Sequence, residues 1–289
     1  MLSDNLKSFL LIGGDERQLY SAEKLKEYGF EVILYGFDKL TICCNDEIKH
    51  ILSTVDAVVL PLPFTRDGTF LNAPFSNEPI PTDKLLENLS KDIAVFCGNM
   101  DSKIKKDLFS KGIRVFDYYE RDETVVRNAV PTAEGVAAIL TEKLDTTLNG
   151  SKILVTGYGR TGRAICSVLK GLNVQVTCAA RKCSVLAEIN SSGMKAIYTK
   201  DIAKTGSEYD AVVNTVPSRI INKAEIDSFK DGCCIIEVAS APYGVDIEAA
   251  TQASIDLVIA GSLPGKVAPK TAGIIIAESI INIIGEGKM

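Results

Sequence analysis

Lys152-Ile153-Leu154-Val155-Thr156 running into Gly157-Tyr158-Gly159-Arg160-Thr161-Gly162 decides the fold of this chain. An apolar, β-branched run ends at a glycine turn. A helical pattern follows, with Ala164, Ile165, Val168 and Leu169 on one face and Gly171 at its close. Strand, glycine turn and helix form the first half of a dinucleotide-binding unit. There the first glycine permits the tight turn, the second lets backbone approach a pyrophosphate, and the third lets helix and strand pack closely. The pyrophosphate rests on the free N–H groups and positive dipole end of the helix. Residues 157–162 are therefore expected to bind a nicotinamide dinucleotide.

The second strand, 173–178, leads into Ala179-Ala180-Arg181-Lys182-Cys183-Ser184. An NAD site usually carries Asp or Glu about 20 residues past the glycines to accept hydrogen bonds from the ribose 2′-hydroxyl. No acid stands here. A carboxylate would repel a 2′-phosphate, whereas Arg181, Lys182 and Ser184 would hold one. The expected cofactor is NADP(H).

Composition bounds the rest. At 289 residues, 46% hydrophobic and 24% charged, the chain has the make-up of a soluble enzyme of two domains. A formal charge of −5 offers no basic surface, so nucleic acid is not an expected partner. The apolar run 272–284 is broken by Glu278, Ser279 and Asn282 and is too short to span a bilayer, and Asp4 and Lys7 break up any signal-peptide layout. Eight cysteines, at 43, 44, 97, 166, 178, 183, 233 and 234, include no CxxC pair, and read as reduced core residues of a cytoplasmic chain. The single histidine, His50, sits beside Lys49 in an expected surface turn, and no metal site is expected.

Strands are expected at 9–12, 31–35, 57–60, 93–96 and 114–116, with helices at 16–28, 82–89 and 102–110, and a proline-rich loop at 61–81. Further strands are expected at 211–214, 234–238 and 257–259. Alternation of strand and helix implies parallel sheets covered on both faces. The fold class is thus α/β: two doubly wound parallel-sheet domains with a cleft between them, the second of Rossmann type. Residues 1–129 form a flavodoxin-like substrate domain, completed by a C-terminal helix (269–289) that returns to it. Residues 130–268 form the NADP-binding domain, including a crossing helix (131–148) that begins at Pro131 and buries Val136, Leu140 and Leu144. The first domain's turn, Gly13-Gly14-Asp15-Glu16, lacks the third glycine. Its carboxylates would repel a pyrophosphate, and are expected to cap the helix instead. Three loops are expected to line the cleft at the carboxyl ends of the second sheet: Thr215-Val216-Pro217, Ala239-Ser240 after Glu237-Val238, and 261–266.

Several segments together resemble the family of dipicolinate synthase A subunits over nearly the whole length. They are Gly13-Gly14-Asp15-x-Arg17-Gln18-Leu19, Tyr35-Gly36-Phe37-Asp38, Phe75-Ser76-Asn77-Glu78, Glu120-Arg121-Asp122, Pro131-Thr132-x-Glu134-Gly135, the glycine turn, and Leu263-Pro264-Gly265-x-Val267-Ala268-Pro269-Lys270-Thr271-Ala272-Gly273. The resemblance implies NADP-linked oxidation of a dihydrodipicolinate-type ring to dipicolinate (pyridine-2,6-dicarboxylate). It also implies a partner, the flavoprotein-like B subunit of dipicolinate synthase, in a hetero-oligomer, and action in the mother-cell cytoplasm during sporulation. From these segments Ser76, Asn77, Arg121, Thr132, Lys266 and Thr271 are candidate ligands for a dicarboxylate. Arg121 is equally suited to a surface ion pair with Asp122 or Glu123. Glu134 and Lys266 are candidates for proton transfer, although a carboxylate in the first turn of a helix more often caps it.

A 2-hydroxyacid or amino-acid dehydrogenase shares this layout. Many hydroxyacid dehydrogenases use a histidine–carboxylate pair, and the second half of the chain has no histidine. A nucleotide-sensing protein without catalysis of its own is the third reading.

Overall fold

The computed structural model describes residues 6–40 and 47–286. The elements run β1 (Ser8–Ile12), α1 (Glu16–Glu27), β2 (Glu31–Tyr35), α2 (Ile48–Leu52), β3 (Ala57–Val59), α3 (Thr82–Glu87), β4 (Ala94–Cys97), α4 (Ser102–Ser110), β5 (Arg114–Asp117) and α5 (Asp122–Lys143). The second half continues β6 (Lys152–Thr156), α6 (Arg160–Gly171), β7 (Gln175–Ala180), α7 (Cys183–Ser191), β8 (Lys195–Tyr198), α8 (Ile202–Thr205), β9 (Ala211–Asn214), α9 (Lys223–Ser228) and β10 (Cys234–Glu237). It ends with α10 (Ile247–Gln252), β11 (Asp256–Ile259), α11 (Leu263–Val267) and α12 (Pro269–Glu286). Two compact units result: residues 1–127 with 268–289, and residues 128–267.

The first unit holds a parallel five-stranded sheet in the order β2-β1-β3-β4-β5. Alternation along β1 divides its side chains between two cores. Leu10 and Ile12 join Val58, Leu60 and Val95 on one face; Phe9 and Leu11 join Ala57, Val59 and Phe96 on the other. α1 and α12 cover the second face through Ala22, Leu25, Ile276, Ala277 and Ile280. A Cβ on Gly273 would lie 2.4 Å from the Arg17 carbonyl oxygen, so glycine is what lets α12 lie against α1. The C-terminal helix thus completes the first unit.

The second unit holds a parallel six-stranded sheet, β11-β10-β9-β6-β7-β8. Ile153 and Val155 of β6 face the core shared with α5, α6, α7 and α11, while Leu154 faces the core beneath α8, α9 and α10. Both sheets reverse winding beside their first strand, between β1 and β3 and between β6 and β9, and such points are where doubly wound sheets bind ligands.

One device recurs at the opposite, amino ends of the two sheets. Asp56 accepts from the Lys7 and Ser8 amides at 2.8 and 2.9 Å and from the Ser8 hydroxyl at 2.9 Å, fixing β1 beside β3. Asp210 accepts from the Lys152 amide at 2.6 Å and pairs with Lys230, fixing β6 beside β9. Burial works to raise both carboxyls, but these bonds outweigh it and hold both below the ordinary aspartate value.

Three expectations are corrected. The crossing helix begins at Asp122, with Pro131 in its interior. Pro131 cannot donate to the Arg127 carbonyl, which costs about 3 kcal/mol. Burial of Val136 and Leu140, at about 1.5–3 kcal/mol each, outweighs that. His50 lies in the short helix α2 rather than in a turn. Cys183 is exposed, whereas Cys97, Cys166, Cys178, Cys233 and Cys234 are buried; Cys43 and Cys44 lie outside the described residues. Among the described residues no helix is long and apolar enough to cross a membrane.

Candidate functional site

Three glycines of the second unit are required for three different reasons. Gly157 has φ +87°, and a Cβ there would meet the Thr215 hydroxyl and a Val216 methyl at 2.7 Å. A Cβ on Gly162 would lie 2.2 Å from the Gly157 carbonyl oxygen, so it sets the approach of α6 to the turn. A Cβ on Gly159 would meet nothing within 4 Å. Gly159 is the N-cap of α6 and makes no side-chain cap, and the amino end of a helix is a site that favours a phosphate. Arg160 and Thr161 form the first turn of that helix.

Beside this turn lies a cavity of about 370 Å³, lined by Gly157, Tyr158, Gly159, Ala180, Arg181, Lys182, Val185, Thr199, Val216 and Ile220, with Ala179 at its base. The Tyr158 hydroxyl reaches Ser192 Oγ at 3.3 Å, and Arg163 stacks on its ring at 5.1 Å. Arg181 and Lys182 are exposed at the mouth, with no acid lining the cavity. Ser184 stands in the first turn of α7, exposed and outside the lining. Cys183 contacts the Tyr198 hydroxyl at 3.1 Å, which raises the Tyr198 pKa. Behind the turn, Cys178 Sγ points at the Gly157 carbonyl at 3.7 Å, and its thiol is held far above the ordinary value by Cys166 and by burial.

The loops after β9 and β10 are held by a network that the sequence motifs do not announce. Glu237, fully buried, accepts from Asn214 Nδ2 at 2.7 and 2.9 Å, from the Ala239 amide at 2.9 Å, and from the Gly244 and Val245 amides at 2.9 and 3.0 Å. Each of these partners is a donor, so amides alone occupy both oxygens of the side chain. Asn214 in turn accepts from the Thr156 hydroxyl at 2.5 Å and the Val216 amide at 3.2 Å. Thr215 turns its hydroxyl inward to the Thr156 carbonyl at 2.7 Å. Pro217 and Ser240 lie on the same two loops. The available signal is a polar residue closing each apolar strand, Asn214 after Val212-Val213 and Glu237 after Ile235-Ile236.

In the first unit, Asp15 caps α1 as expected: the Arg17 amide donates to it at 3.2 Å, and the Arg17 guanidinium holds it with two bonds of 2.8 Å. Two further segments meet here. Asp38 accepts from the Asn77 amide at 3.1 Å and from Ser76 Oγ at 3.3 Å, and the Phe37 and Phe75 rings lie 6.3 Å apart.

These contacts change the standing of several candidate ligands. The Ser76 hydroxyl donates to the Glu78 carbonyl at 2.7 Å beside the Asp38 carboxylate, an arrangement that disfavours an anionic ligand. Arg121 is taken up by Glu123 and, at 2.5 and 2.7 Å, by Glu286, so its guanidinium serves an ion-pair cluster. Thr132 donates to the Asn128 carbonyl within α5 at 2.9 Å. Glu134 is exposed in mid-helix and caps nothing. Lys266 is exposed on α11, a helix where a loop was expected, and Thr271 is exposed in the first turn of α12. Gly135 meets Leu263 closely (a Cβ there would lie 3.1 Å from the Leu263 Cβ), which joins α5 to α11 in the second unit.

Residues 8–119 match the family model for the N-terminal domain of the dipicolinate synthase A subunit, and residues 126–261 match the D-isomer specific 2-hydroxyacid dehydrogenase, NAD binding domain. Over 284 residues the chain is 31% identical to the A subunit of dipicolinate synthase from Bacillus subtilis (strain 168), spanning 96% of this chain and 95% of that one. The crystal structure of the A subunit of dipicolinate synthase from Bacillus halodurans superposes with TM-score 0.89 at 29% identity, over 98% of this chain and 99% of that one. That of the Bacillus subtilis protein gives 0.86 at 30% identity, over 99% and 98%.

Proposed function

The chain belongs to the family of dipicolinate synthase A subunits, and from that premise we propose that it oxidises a cyclic dihydrodipicolinate-type intermediate to dipicolinate, using NADP. It carries a dinucleotide-binding domain of the dehydrogenase type. The choice of NADP rests on one observation: the cavity at the end of β7 presents Arg181 and Lys182 and no carboxylate.

The residues fit the cofactor. Gly159 faces open space where a pyrophosphate would approach, at the amino end of α6, whose dipole favours an anion. Arg181 and Lys182, with Ser184 close by, would hold the 2′-phosphate. Thr215, Val216, Pro217, Ala239 and Ser240 would border the rest of the dinucleotide on loops fixed by Glu237 and Asn214. When bound, the cofactor supplies a hydride acceptor. Because ring aromatisation provides the driving force, the chain's own work is to orient the substrate and accommodate proton loss. Lys266 and Thr271 remain the candidates for a substrate carboxylate.

The proposal includes a partner protein, as the name of the relatives suggests, and action in the mother cell of a sporulating bacterium. The test is an assay of dipicolinate formation by ultraviolet absorbance, with freshly made dihydrodipicolinate precursor and NADP, on the chain alone and with its partner. Formation of dipicolinate with matching NADP reduction is expected. Oxidation of a 2-hydroxy acid instead would mark a hydroxyacid dehydrogenase; cofactor binding with no turnover in either state would mark a nucleotide sensor.

A further inference from the structure

Among the described residues, buried polar side-chain atoms without a hydrogen-bond partner are confined to Gln18, Ser21 and Asn72, all in the first unit. Ser21 lies under α12, where a small residue is needed for close packing. Gln18 and Asn72 have no such explanation. Gln18 falls on the face of α1 that carries Ala22 and Leu25 onto the sheet, one turn nearer the helix start. At that position an apolar side chain would satisfy packing, yet Gln18 places both ends of a carboxamide there, 2% exposed and unpaired.

Asn72 converges on the same place. Its carbonyl accepts from the Gly14 amide at 2.7 Å, while Gln18 Cγ fills the space a Gly14 side chain would need. Arg66 Nε donates to Asn72 Oδ1 at 3.0 Å, which fixes the amide's orientation and leaves Nδ2 as the unpaired donor. The Gln18 side chain and the Asn72 backbone therefore meet at the Gly13-Gly14 turn, at the carboxyl end of β1, the strand at which this sheet reverses winding. An unpaired buried amide is costly unless a ligand or water completes it.

We infer that Gln18 and Asn72 form a substrate subsite that reads a carboxylate adjacent to an N–H or O–H group. Two donors, Gln18 Nε2 and Asn72 Nδ2, suit a carboxylate. The acceptor, Gln18 Oε1, suits a proton carried by the neighbouring ring atom. Asn72 also borders a cavity of about 440 Å³ in which Lys39 and Arg66 stand against Asp67 and Glu78. With those charges balanced, the amides rather than a net charge set the preference. The inference rests on the proposed reading of the substrate as a ring dicarboxylate, and it names the residues that tell a reduced ring from the aromatic product.

Calorimetric titration of the full chain with dipicolinate and with cis-piperidine-2,6-dicarboxylate tests it without turnover. The saturated ring carries N–H donors and the aromatic product carries none. The wild-type chain should bind the saturated compound about tenfold more tightly, as one hydrogen bond would give. Gln18→Leu, which removes an orphan amide and leaves packing intact, should erase that preference without lowering the melting temperature. Asn72→Asp, which keeps the Arg66 contact but turns a negative group toward the carboxylate, should weaken both compounds more than about tenfold. NADPH affinity should stay the same in both variants. Equal binding of the two compounds by the wild type, or unchanged binding by Gln18→Leu, overturns the subsite. If the preference is present and Gln18-dependent but no dipicolinate forms with NADP, the subsite stands and the dehydrogenase reading falls.

Discussion

Asn214 and Glu237 close neighbouring strands of the second sheet as a hydrogen-bonded pair, Asn214 Nδ2 lying 2.7 and 2.9 Å from the two carboxylate oxygens. The pair ties the turn after β9 to the turn after β10, and through Thr156 it reaches the strand that carries the glycine turn. Three backbone amides complete the carboxylate's shell. Glu237→Ala would strand all these donors at a site with no exposure, and should cost more than the roughly 1–3 kcal/mol of a single orphaned buried group. Glu237→Gln keeps the size but turns an NH2 toward a backbone N–H, and should cost about 1–3 kcal/mol. Urea unfolding of both variants checks the order; an alanine variant as stable as wild type would remove the network from any supporting role.

The basic cavity mouth predicts cofactor choice. Each charge-assisted bond to a 2′-phosphate is worth roughly 1.5–3 kcal/mol, so Arg181→Ala should weaken NADPH about 10- to 150-fold while leaving NADH nearly unaffected. Fluorescence titration of both cofactors against both proteins measures it. Equal wild-type affinities for NADPH and NADH would assign Arg181 and Lys182 to the solvated surface.

Two glycine substitutions should separate binding from folding. A side chain at Gly159 meets no protein atom within 4 Å, so Gly159→Val should fold normally and lose NADPH by blocking the pyrophosphate. Gly162→Ala forces a Cβ to 2.2 Å from the Gly157 carbonyl, and should lower thermal stability as well as affinity. Wild type should bind one NADPH per chain, because Asp15, capping α1 and paired with Arg17, occupies the corresponding turn of the first unit. A second site by calorimetry, or full binding by a folded Gly159→Val protein, contradicts this division of labour.

Acid should weaken both sheets through Asp56 and Asp210. Each carboxyl is held below its ordinary value of 3.8 in the folded chain. A depressed folded value contributes stability above the unfolded value, and that contribution disappears as pH falls through the folded one. The melting temperature should therefore fall steeply below about pH 4. Asp56→Asn and Asp210→Asn should be less stable than wild type at neutral pH and show a flatter acid branch. Acid branches parallel to that of wild type would count against these two groups.

The periodicity of apolar runs recovers ten of the eleven described strands, because parallel strands buried on both faces leave an unbroken apolar signature, as in Ile153-Leu154-Val155. The edge strand β8, exposed at both ends and only half-buried between, leaves none. The start of α5 is not legible. Its first turn, Asp122-Glu123-Thr124, is polar, and Pro131 reads as a helix start until the burial of Val136 and Leu140 that sustains the longer helix is known. Of the candidate site, the cavity that the glycine turn shares with Arg181 is legible because their spacing is fixed by local chain geometry. Gln18 and Asn72 are not: each is an ordinary polar residue whose meaning comes from burial, which only tertiary contacts supply, and Glu237 shows only as a polar residue closing an apolar strand. Ser76 and Arg121 mislead in the opposite sense. Their segments stand out in the sequence, but the hydroxyl and the guanidinium hold neighbouring turns and helix ends together.

That contrast yields the last prediction, on catalysis with the partner present. Lys266 is exposed on α11, and Leu263 of the same helix packs against Gly135, so a cation is presented there from a fixed element. A lysine in water is worth little to an anion, but its attraction grows severalfold when a bound ring displaces solvent. Lys266→Ala should lower kcat/KM for the dihydrodipicolinate precursor about 30- to 1,000-fold, equivalent to about 2–4 kcal/mol. NADPH affinity should not change, because the site proposed for its phosphates is the start of α6. Ser76→Ala should behave differently. Its hydroxyl already serves the Glu78 carbonyl and stands beside Asp38, so the loss should appear as a small drop in melting temperature with kcat/KM little altered. Steady-state rates of dipicolinate formation for wild type and both variants, with NADPH titrations alongside, decide the matter. If Lys266→Ala keeps full kcat/KM, the substrate's charge is met elsewhere; if Ser76→Ala loses it while remaining folded, the hydroxyl must leave Glu78 for the substrate.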